Sequence, residues 1–356
     1  MKSASFAHGG NLNMLAAAAG VEPQAMLDFS ASINPLGMPA AAREAIIAGI
    51  AQLGHYPDPL AEELVAALAE SHRINPELLL AGNGSTELLY LALRVLKPGK
   101  VLLTAPGFSE YERAARLVGG KIKWLRLKRQ DDFRIDPAAF TAAMAGCDLA
   151  LLCNPNNPTG QALSREETSV IATAAKACRC RLLLDEAFAD FCPEISLLGH
   201  LHHSHLLILR SLTKFYALPG LRLGFLLLPR QLRSRFLAHK EPWSVNTLAI
   251  RAAVAALADR RFAEQSRELI AGERPWLAAR LSRLVAKVYP AAANYLLLES
   301  EHARELRAGL LGQGIALRDC GNFRGLGPHF LRVAVRGRAE NQRLLAAMAA
   351  LRSSGT

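Results

Sequence analysis

Five short runs of leucine and β-branched residues, separated by segments with helical periodicity, constrain the fold of this chain more than any other feature. The runs are Val101–Thr104, Leu149–Cys153, Leu182–Asp185, Leu206–Leu209 and Leu223–Leu228. Such runs, bounded by turn residues, are typical of strands buried on both faces, and helical segments such as Ser164–Ala177 between them indicate parallel connections. The pattern predicts an α/β fold in which a mostly parallel sheet lies between layers of helices.

The pattern changes after about Pro242, where long helical segments come first and short strands then alternate with helices. A chain of 356 residues is long enough to form two lobes. We therefore expect a large domain over residues 39–241. A smaller α+β domain should combine residues 1–38 with residues 242–356, because the amino-terminal segment is too short to fold alone.

Several features limit where the protein works. No apolar run reaches the roughly 18 residues that a membrane-spanning helix needs, and the amino-terminal segment lacks the apolar core of a secretory signal. The six cysteines are scattered without a CxxC pair, which favours reduced thiols over a disulfide framework. We therefore expect a cytoplasmic protein with no membrane partner.

The formal net charge of +11 comes from 42 basic and 31 acidic residues. A surplus of this size could signal nucleic-acid binding, but the arginines form no basic stripe with interleaved aromatic residues. A small anionic substrate explains the surplus about as well, so we expect no nucleic-acid partner. The histidine-rich segment His200–His205 has no nearby carboxylate or cysteine to complete a ligand set, so we also expect no metal site.

Four stretches at the ends of predicted strands carry polar residues that need an explanation. They are "AGNGSTELL" at Ala81–Leu89, "CNPNNPTG" at Cys153–Gly160, "LLLDEAFADF" at Leu182–Phe191 and "SLTKFYALPGLRLGF" at Ser211–Phe225. The first could be only a tight turn with a helix cap, and Asp185 in the third could be only an N-cap. In the fourth, Lys214 lies among small hydroxyls and glycines with Arg222 eight residues on, surroundings that a solvated lysine does not require.

Pyridoxal 5′-phosphate, as a cofactor, would explain all four stretches together. Its aldehyde requires a lysine, its pyridine nitrogen a carboxylate, and its phosphate a helix N-terminus, hydroxyls and an arginine. We expect Lys214 to form a Schiff base with the aldehyde, Asp185 to keep the pyridine nitrogen protonated and Asn157 to donate to the 3-hydroxyl oxygen. The residues expected around the phosphate are Gly84, Ser85, Thr86, Ser211, Thr213 and Arg222.

The motifs "NPNNPTG", "DEAF" and "SLTKFYALPGLRLG", in this order and spacing, resemble those of the fold type I pyridoxal-phosphate enzymes, most closely the histidinol-phosphate aminotransferase branch. Within that branch, further segments are similar to those of the L-threonine-O-3-phosphate decarboxylase family, whose members make the aminopropanol phosphate arm of cobalamin. These segments are "HGGN" at His8–Asn11, "DFSASINPLGMP" at Asp28–Pro39, "YPDP" at Tyr56–Pro59, "PWSVN" at Pro242–Asn246 and "LRVAVR" at Leu331–Arg336. The resemblance extends over almost the whole chain.

The resemblance implies roles for residues that the strand-end motifs do not explain. Phe108 matches the aromatic residue that stacks on the cofactor ring, and Asn157–Pro158 matches a peptide bond that is usually cis. Tyr56 matches the tyrosine that reaches the cofactor phosphate of a neighbouring subunit, which implies a homodimer with shared active sites. The positions that match the surroundings of a phosphorylated amino-acid substrate are His8, Gly9, Ser32, Asn157, Arg318 and Arg332, the last matching the carboxylate-binding arginine of the transaminases.

Two departures bear on the reaction. Phe188 stands where transaminases usually carry a tyrosine, as it does in the decarboxylases, and Ser32 stands where the decarboxylases usually carry an asparagine. The resemblance implies decarboxylation of L-threonine O-3-phosphate to (R)-1-amino-2-propanol O-2-phosphate. The alternative is an aminotransferase acting on histidinol phosphate or a related amino-acid phosphate, in which Lys214 would carry the Cα proton. A non-catalytic regulator that binds the cofactor would need a DNA-binding helix pair, which the sequence lacks.

Overall fold

After helix α1 (Leu12–Ala19) and the short strand β1 (Leu27–Asp28), seven strands form a central sheet in the computed structural model, which describes residues 9–200 and 203–354. The strands are β2 (Leu79–Asn83), β3 (Lys100–Ala105), β4 (Lys121–Arg126), β5 (Leu149–Cys153), β6 (Arg181–Asp185), β7 (Leu206–Ser211) and β8 (Leu223–Leu227). They lie in the order β2-β8-β7-β6-β5-β3-β4. Strand β8 runs antiparallel to β2 and β7, and the other neighbouring pairs are parallel, so the predicted mostly parallel sheet is confirmed.

The strands are apolar throughout because each face of the sheet packs against its own hydrophobic core. Leu182 and Leu184 of β6 belong to the core that continues into the carboxyl-terminal part of the chain. Leu183, between them, belongs to a second core on the opposite face. This alternation follows from the two-residue period of a strand, and burial on both faces explains why the sequence shows continuous leucine runs.

Helices cover both faces of the sheet and continue beyond it. Helix α7 (Arg165–Ala177) begins at a capping box, in which the Ser164 hydroxyl accepts from the Glu167 N–H and the Glu167 carboxylate accepts from the Ser164 N–H. No helix among the described residues is long and apolar enough to cross a membrane. The remaining helices are α2 (Ala40–Gly49), α3 (Glu62–His72), α4 (Gly84–Leu96), α5 (Ser109–Leu117), α6 (Pro137–Met144), α8 (Leu212–Phe215), α9 (Arg233–Leu237), α10 (Thr247–Ala258), α11 (Arg260–Leu281), α12 (Ala303–Gly312) and α13 (Arg338–Ser354).

A second, antiparallel sheet lies in the carboxyl-terminal part of the chain. Its strands are β9 (Lys287–Val288), β10 (Tyr295–Glu299), β12 (Arg318–Asp319) and β13 (Phe330–Ala334), in the order β12-β13-β10-β9. Strand β1 pairs with β11 (Ile315–Ala316) in a separate two-stranded parallel ladder. This pairing supports the proposal that residues 1–38 belong to the same small domain as residues 242–356, with residues 39–241 as the large domain.

The topology brings several loops to one edge of the central sheet. Strands β2, β3, β5, β6 and β7 all point their carboxyl ends to this edge, because β2 and β7 are both antiparallel to β8. In open α/β sheets ligands bind outside the carboxyl ends of the strands. The four chemistry-bearing stretches of the sequence therefore meet at the place where such a fold builds a site.

Candidate active site

A cavity of about 400 Å³ opens at the carboxyl edge of the central sheet. Its wall is formed by the loops after β3, β5 and β6, by the start of α4, by residues 30–33, and by side chains of β12 and β13. The predicted site residues that line it are Gly9, Ser32, Ser85, Thr86, Phe108, Asn157, Asp185, Lys214, Arg222, Arg318 and Arg332. Residues from opposite ends of the sequence thus meet in one space.

Lys214 lies in the first turn after β7, because the strand ends at Ser211 and the short helix α8 turns the lysine toward the cavity. Its Nζ donates to the Ser211 hydroxyl at 2.9 Å and lies 5.8 Å from the centre of the Phe188 ring. Removal from water lowers the pKa of Lys214 to about 8, and the positive charge of Arg222 adds to this effect. A usable fraction of this amine is unprotonated near neutral pH, as a nucleophile requires.

Asp185 is the last residue of β6 and is buried. Its carboxylate accepts hydrogen bonds from the Ala187 N–H at 2.9 Å and from the Tyr111 hydroxyl at 2.6 Å. Burial raises the pKa of Asp185, because no lysine, arginine or histidine of the described part of the chain forms an ion pair with it. A buried carboxylate in this state is suited to a cationic partner such as a protonated pyridine nitrogen.

Tyr111 lines the cavity beside Asp185, and sequence reasoning missed it. It lies three residues after Phe108 at the start of α5, so both rings lie on one side of the helix and meet edge to face at 5.5 Å. Burial raises the pKa of Tyr111 well above its usual value, so its hydroxyl remains a donor to Asp185. The only signal in the sequence was the three-residue spacing in "PGFSEY".

The turn from β2 into α4 brings together groups that suit an anion. Gly84 has φ +83°, and a Cβ at this position would lie 2.7 Å from Nη2 of Arg222, so only glycine lets the guanidinium approach. Ser85 and Thr86 follow at the N-terminus of α4 and line the cavity. A helix N-terminus, two hydroxyls and an arginine together suit a phosphate group.

Two of the predicted phosphate-site hydroxyls differ in their position. The Ser211 hydroxyl contacts Nζ of Lys214, whereas the Thr213 hydroxyl contacts the Ser211 hydroxyl at 2.9 Å. Both residues are buried, and neither is among the residues that line the cavity. The Ser211 hydroxyl is linked to the cavity through Lys214, and the Thr213 hydroxyl is linked to it through Ser211.

Arg318 and Arg332 face each other across neighbouring strands β12 and β13. Both are only 7% exposed, and neither forms an ion pair with a carboxylate of the described residues. Arg332 donates to the side-chain Oδ1 of Asn157 at 2.6 Å and to the backbone carbonyl of Ser30 at 3.1 Å. Arg318 donates to the side-chain Oδ1 of Asn322 at 3.0 Å. Desolvation and the charge of Arg332 lower the pKa of Arg318, as expected of a cation pair that awaits an anion.

One of the remaining predicted residues lies outside this cavity, and another is not described by the structure. Tyr56 is 83% exposed and packs against the Trp243 ring at 5.1 Å on another part of the surface, and His8 lies outside the described residues. Ser32 does line the cavity, and its buried hydroxyl has no hydrogen-bond partner among the described residues. The Asn157–Pro158 bond is cis, as predicted. The described residues contain no group of three or more potential metal ligands.

Known proteins share this architecture over nearly its full length. A sequence profile of the family described as "Aminotransferase class I and II" matches residues 24–348. The threonine-phosphate decarboxylase of Salmonella typhimurium is 40% identical over 96% of this chain and 95% of its own. The adenosylcobalamin biosynthesis bifunctional protein CobDQ of Leptospira interrogans is 32% identical over 95% of this chain and 40% of its own. The crystal structure of the histidinol-phosphate aminotransferase from Clostridium acetobutylicum, 29% identical, superposes with a TM-score of 0.87 over 92% of this chain and all of that one.

Proposed function

This chain belongs to the class I and II aminotransferase family, and we propose that it is a pyridoxal-phosphate enzyme that decarboxylates L-threonine O-3-phosphate. The product would be (R)-1-amino-2-propanol O-2-phosphate, which serves the nucleotide loop of cobalamin. The relative named threonine-phosphate decarboxylase supports this reading. The observation that carries it is the pair Arg318 and Arg332, which lie side by side and buried in the cavity that holds Lys214 and form no ion pair with a carboxylate of the described residues.

The cofactor fits the residues that surround the cavity. Asp185 is a buried carboxylate that forms no ion pair with a cation of the described residues, Lys214 is an amine with a lowered pKa, and Arg222 stands at the N-terminus of α4. These groups would hold the pyridine nitrogen, the aldehyde and the phosphate, in that order. When bound, pyridoxal phosphate supplies an electron sink for the electron pair left on Cα after a bond to that carbon breaks.

The substrate brings two anionic groups in addition to the cofactor phosphate, so the cavity needs more positive charge than the cofactor alone would require. Threonine phosphate carries one carboxylate and a phosphate with a charge of about −1.5 to −2 at neutral pH. With Arg222 assigned to the cofactor, Arg318 and Arg332 remain for the two anionic groups of the substrate. Each charge-assisted bond in this water-poor cavity contributes roughly 1.5–3 kcal/mol, enough to select a phosphorylated over an unphosphorylated amino acid.

Lys214 is placed to carry a proton as well as to bind the cofactor. A pKa of about 8 allows its Nζ to hold and release a proton near neutral pH. In decarboxylation the amine would return a proton to Cα after carbon dioxide leaves. In transamination the same Nζ would remove a proton from Cα, so the residue by itself does not separate the two reactions.

Phe188 offers a difference between these reactions. Its ring lies 5.8 Å from Nζ of Lys214 and packs edge to face on Tyr295. Where transaminases usually carry a tyrosine hydroxyl, this ring is apolar. Asn157, whose carbonyl oxygen is held by Arg332, would then be the side-chain donor to the 3-hydroxyl oxygen of the cofactor.

A homodimer is part of the proposal. Five large apolar side chains remain exposed, namely those of Ile47, Ile50, Leu53, Tyr56 and Trp243. Exposed apolar patches mark interaction surfaces. We infer that this surface meets a second copy of the chain, so that Tyr56 reaches the cofactor phosphate of the other subunit. We further propose that the enzyme works in the cytoplasm without a nucleic-acid partner.

The test is to incubate the holoenzyme with threonine phosphate, with and without 2-oxoglutarate, and to measure carbon dioxide and aminopropanol phosphate. We expect both products in equal amounts, independent of 2-oxoglutarate. Formation of glutamate that requires 2-oxoglutarate, without carbon dioxide, would instead establish the alternative aminotransferase, which the likeness to a histidinol-phosphate aminotransferase keeps as the second candidate.

A further inference from the structure

We propose that Asp28 and Ser30 are positioning residues that fix the wall of the cavity where the anionic substrate binds. The inference rests on the proposed function and concerns how its substrate site is assembled. Ser30 is buried beside Ser32 at the rim of the cavity. It contacts both the amino-terminal segment and Arg332, two parts of the wall that are more than 300 residues apart in sequence.

Asp28 determines which way the Ser30 hydroxyl points. One carboxylate oxygen of Asp28 accepts from the Ser30 N–H at 2.7 Å, from the Ser30 hydroxyl at 2.6 Å and from the Ala31 N–H at 3.3 Å. Because the Ser30 hydroxyl donates its only proton to this carboxylate, its oxygen faces other groups as an acceptor. That oxygen accepts from the Gly10 N–H at 2.9 Å.

The amino-terminal segment is seated on Ser30 through its glycines. A Cβ at Gly9 would lie 2.3 Å from the Ser30 carbonyl oxygen and 2.8 Å from its carbon, so any side chain there would displace the segment. Gly10 has φ +84°, which glycine adopts without strain. The two glycines therefore permit a backbone contact that places Gly9 in the cavity wall.

The same serine also fixes Arg332. The Ser30 carbonyl oxygen accepts from Nη2 of Arg332 at 3.1 Å, while Nη1 of the same guanidinium is held by Asn157. A shift of the Ser30 backbone would therefore move Arg332 and the amino-terminal segment together. Loss of this arrangement should weaken substrate binding and leave the cofactor groups, Lys214 and Asp185, in place.

The test compares Ser30→Ala, Asp28→Ala and Asp28→Asn in the holoenzyme. Ser30→Ala and Asp28→Ala should raise the KM for threonine phosphate roughly five- to tenfold, as expected for one lost hydrogen bond, and change kcat less than about threefold. Asp28→Asn keeps an oxygen acceptor for Ser30 and should restore most of the affinity. Hydrogen exchange at the Gly10 amide should accelerate in Ser30→Ala.

Gly9→Ala is an independent variant that leaves both hydrogen-bonding side chains intact. We expect it to raise KM at least roughly tenfold, because a buried clash costs as much as a lost bond. Gly272→Ala is the matched control, since a Cβ there meets nothing within 4 Å and the residue lies within α11, away from the cavity.

Unchanged KM in Ser30→Ala and Gly9→Ala, or a fall in kcat alone, would overturn the inference even if the wild type releases carbon dioxide. Absence of carbon dioxide from the wild type would refute the proposed function instead. The positioning role would then be decided by the Gly10 amide, whose exchange rate should still differ between the wild type and Ser30→Ala. An equal rate in both proteins would refute the role.

Discussion

Two groups of buried charges lie next to each other at the carboxyl edge of the central sheet, and they differ in whether the protein supplies their partners. Arg210 of β7 pairs with Glu186 at 2.8 Å and also with Asp190, all within the core. Asp185 and Lys214, close to them in sequence, face the cavity and lack an ion-pair partner among the described residues. The side chains of the adjacent residues Asp185 and Glu186 thus lie in different environments, one facing the cavity and one in the core. The reason is that consecutive side chains point to opposite sides of the chain as it leaves a strand.

The ion-paired charges stabilise the fold, whereas the charges in the cavity are suited to bind a ligand. A buried ion pair is destabilising to break, because the remaining charge is left without a partner. An unpartnered buried charge already lowers stability, so its removal should cost the fold little and cost binding much. The two regions should therefore respond in opposite ways to substitution.

The largest expected effect is that of Lys214→Ala. Loss of the amine removes both the covalent link and the proton carrier, so turnover of threonine phosphate should fall at least roughly 10⁴-fold. The free energy of unfolding of the apoprotein should stay the same or rise, measured by urea denaturation. Borohydride reduction of the wild-type holoenzyme should fix the cofactor on Lys214, and labelling of another lysine would contradict the assignment.

In the ion-paired group of Arg210, Glu186 and Asp190, Arg210→Met should destabilise the protein, although no role in binding a ligand is assigned to Arg210. Glu186 and Asp190 would be left as buried charges without a cation, which typically costs about 3–5 kcal/mol. Denaturant unfolding of the apoprotein measures the change. Arg318→Met, a matched variant in the cavity, should lower the free energy of unfolding by less than about 1 kcal/mol. Equal losses in the two variants would remove the distinction between the regions.

Asp185→Asn should act on turnover and hardly on stability. The amide keeps the shape of the carboxylate but cannot hold a proton on the pyridine nitrogen, so we expect turnover to fall roughly a hundredfold. Tyr111→Phe removes one donor to the same carboxylate and should have a smaller effect, of several-fold. Near-normal turnover in Asp185→Asn would refute the role of this residue.

The last comparison concerns the pH dependence of the apoprotein. The pKa of Lys214 is lowered from 10.5 to about 8, so between these values the unfolded chain binds a proton that the folded chain has released. Stability contributed by this group should therefore be lowest below about pH 8 and rise toward pH 10.5. Urea denaturation of the apoprotein at several pH values measures the trend, and Lys214→Met should abolish it.

Much of the candidate site could be predicted from the sequence, because its residues follow strands and carry a recognisable order of motifs. Lys214, Asp185, Asn157 and Arg222 were all expected to converge, and all line one cavity. Tyr111 was missed because its role depends on the first turn of α5. The Asp28–Ser30 contact was missed because an aspartate two residues before a serine is an ordinary turn signal.

The fold was predicted with similar gaps. A strand was expected before "AGNGST", but its bounds were not predicted, because the glycines indicate a turn although Ala81, Gly82 and Asn83 themselves pair with β8. Strand β4 was missed because it lies at the edge of the sheet, where lysines at Lys121 and Lys123 replace the apolar run of a central strand. Both segments form strands because they pair with a neighbouring strand, and the sequence alone does not show which segments will pair.

The most direct test of the account compares kcat/KM for threonine phosphate and for threonine in the wild-type holoenzyme. If Arg318 and Arg332, which form no ion pair with a carboxylate of the described residues, bind two anions, the phosphorylated substrate should be preferred at least roughly a hundredfold, as one or two charge-assisted bonds would provide. Arg318→Ala or Arg332→Ala, whichever arginine meets the phosphate, should reduce this ratio at least tenfold. Equal values of kcat/KM for the two amino acids in the wild type would contradict the account, because the buried cations would then have no phosphate to bind.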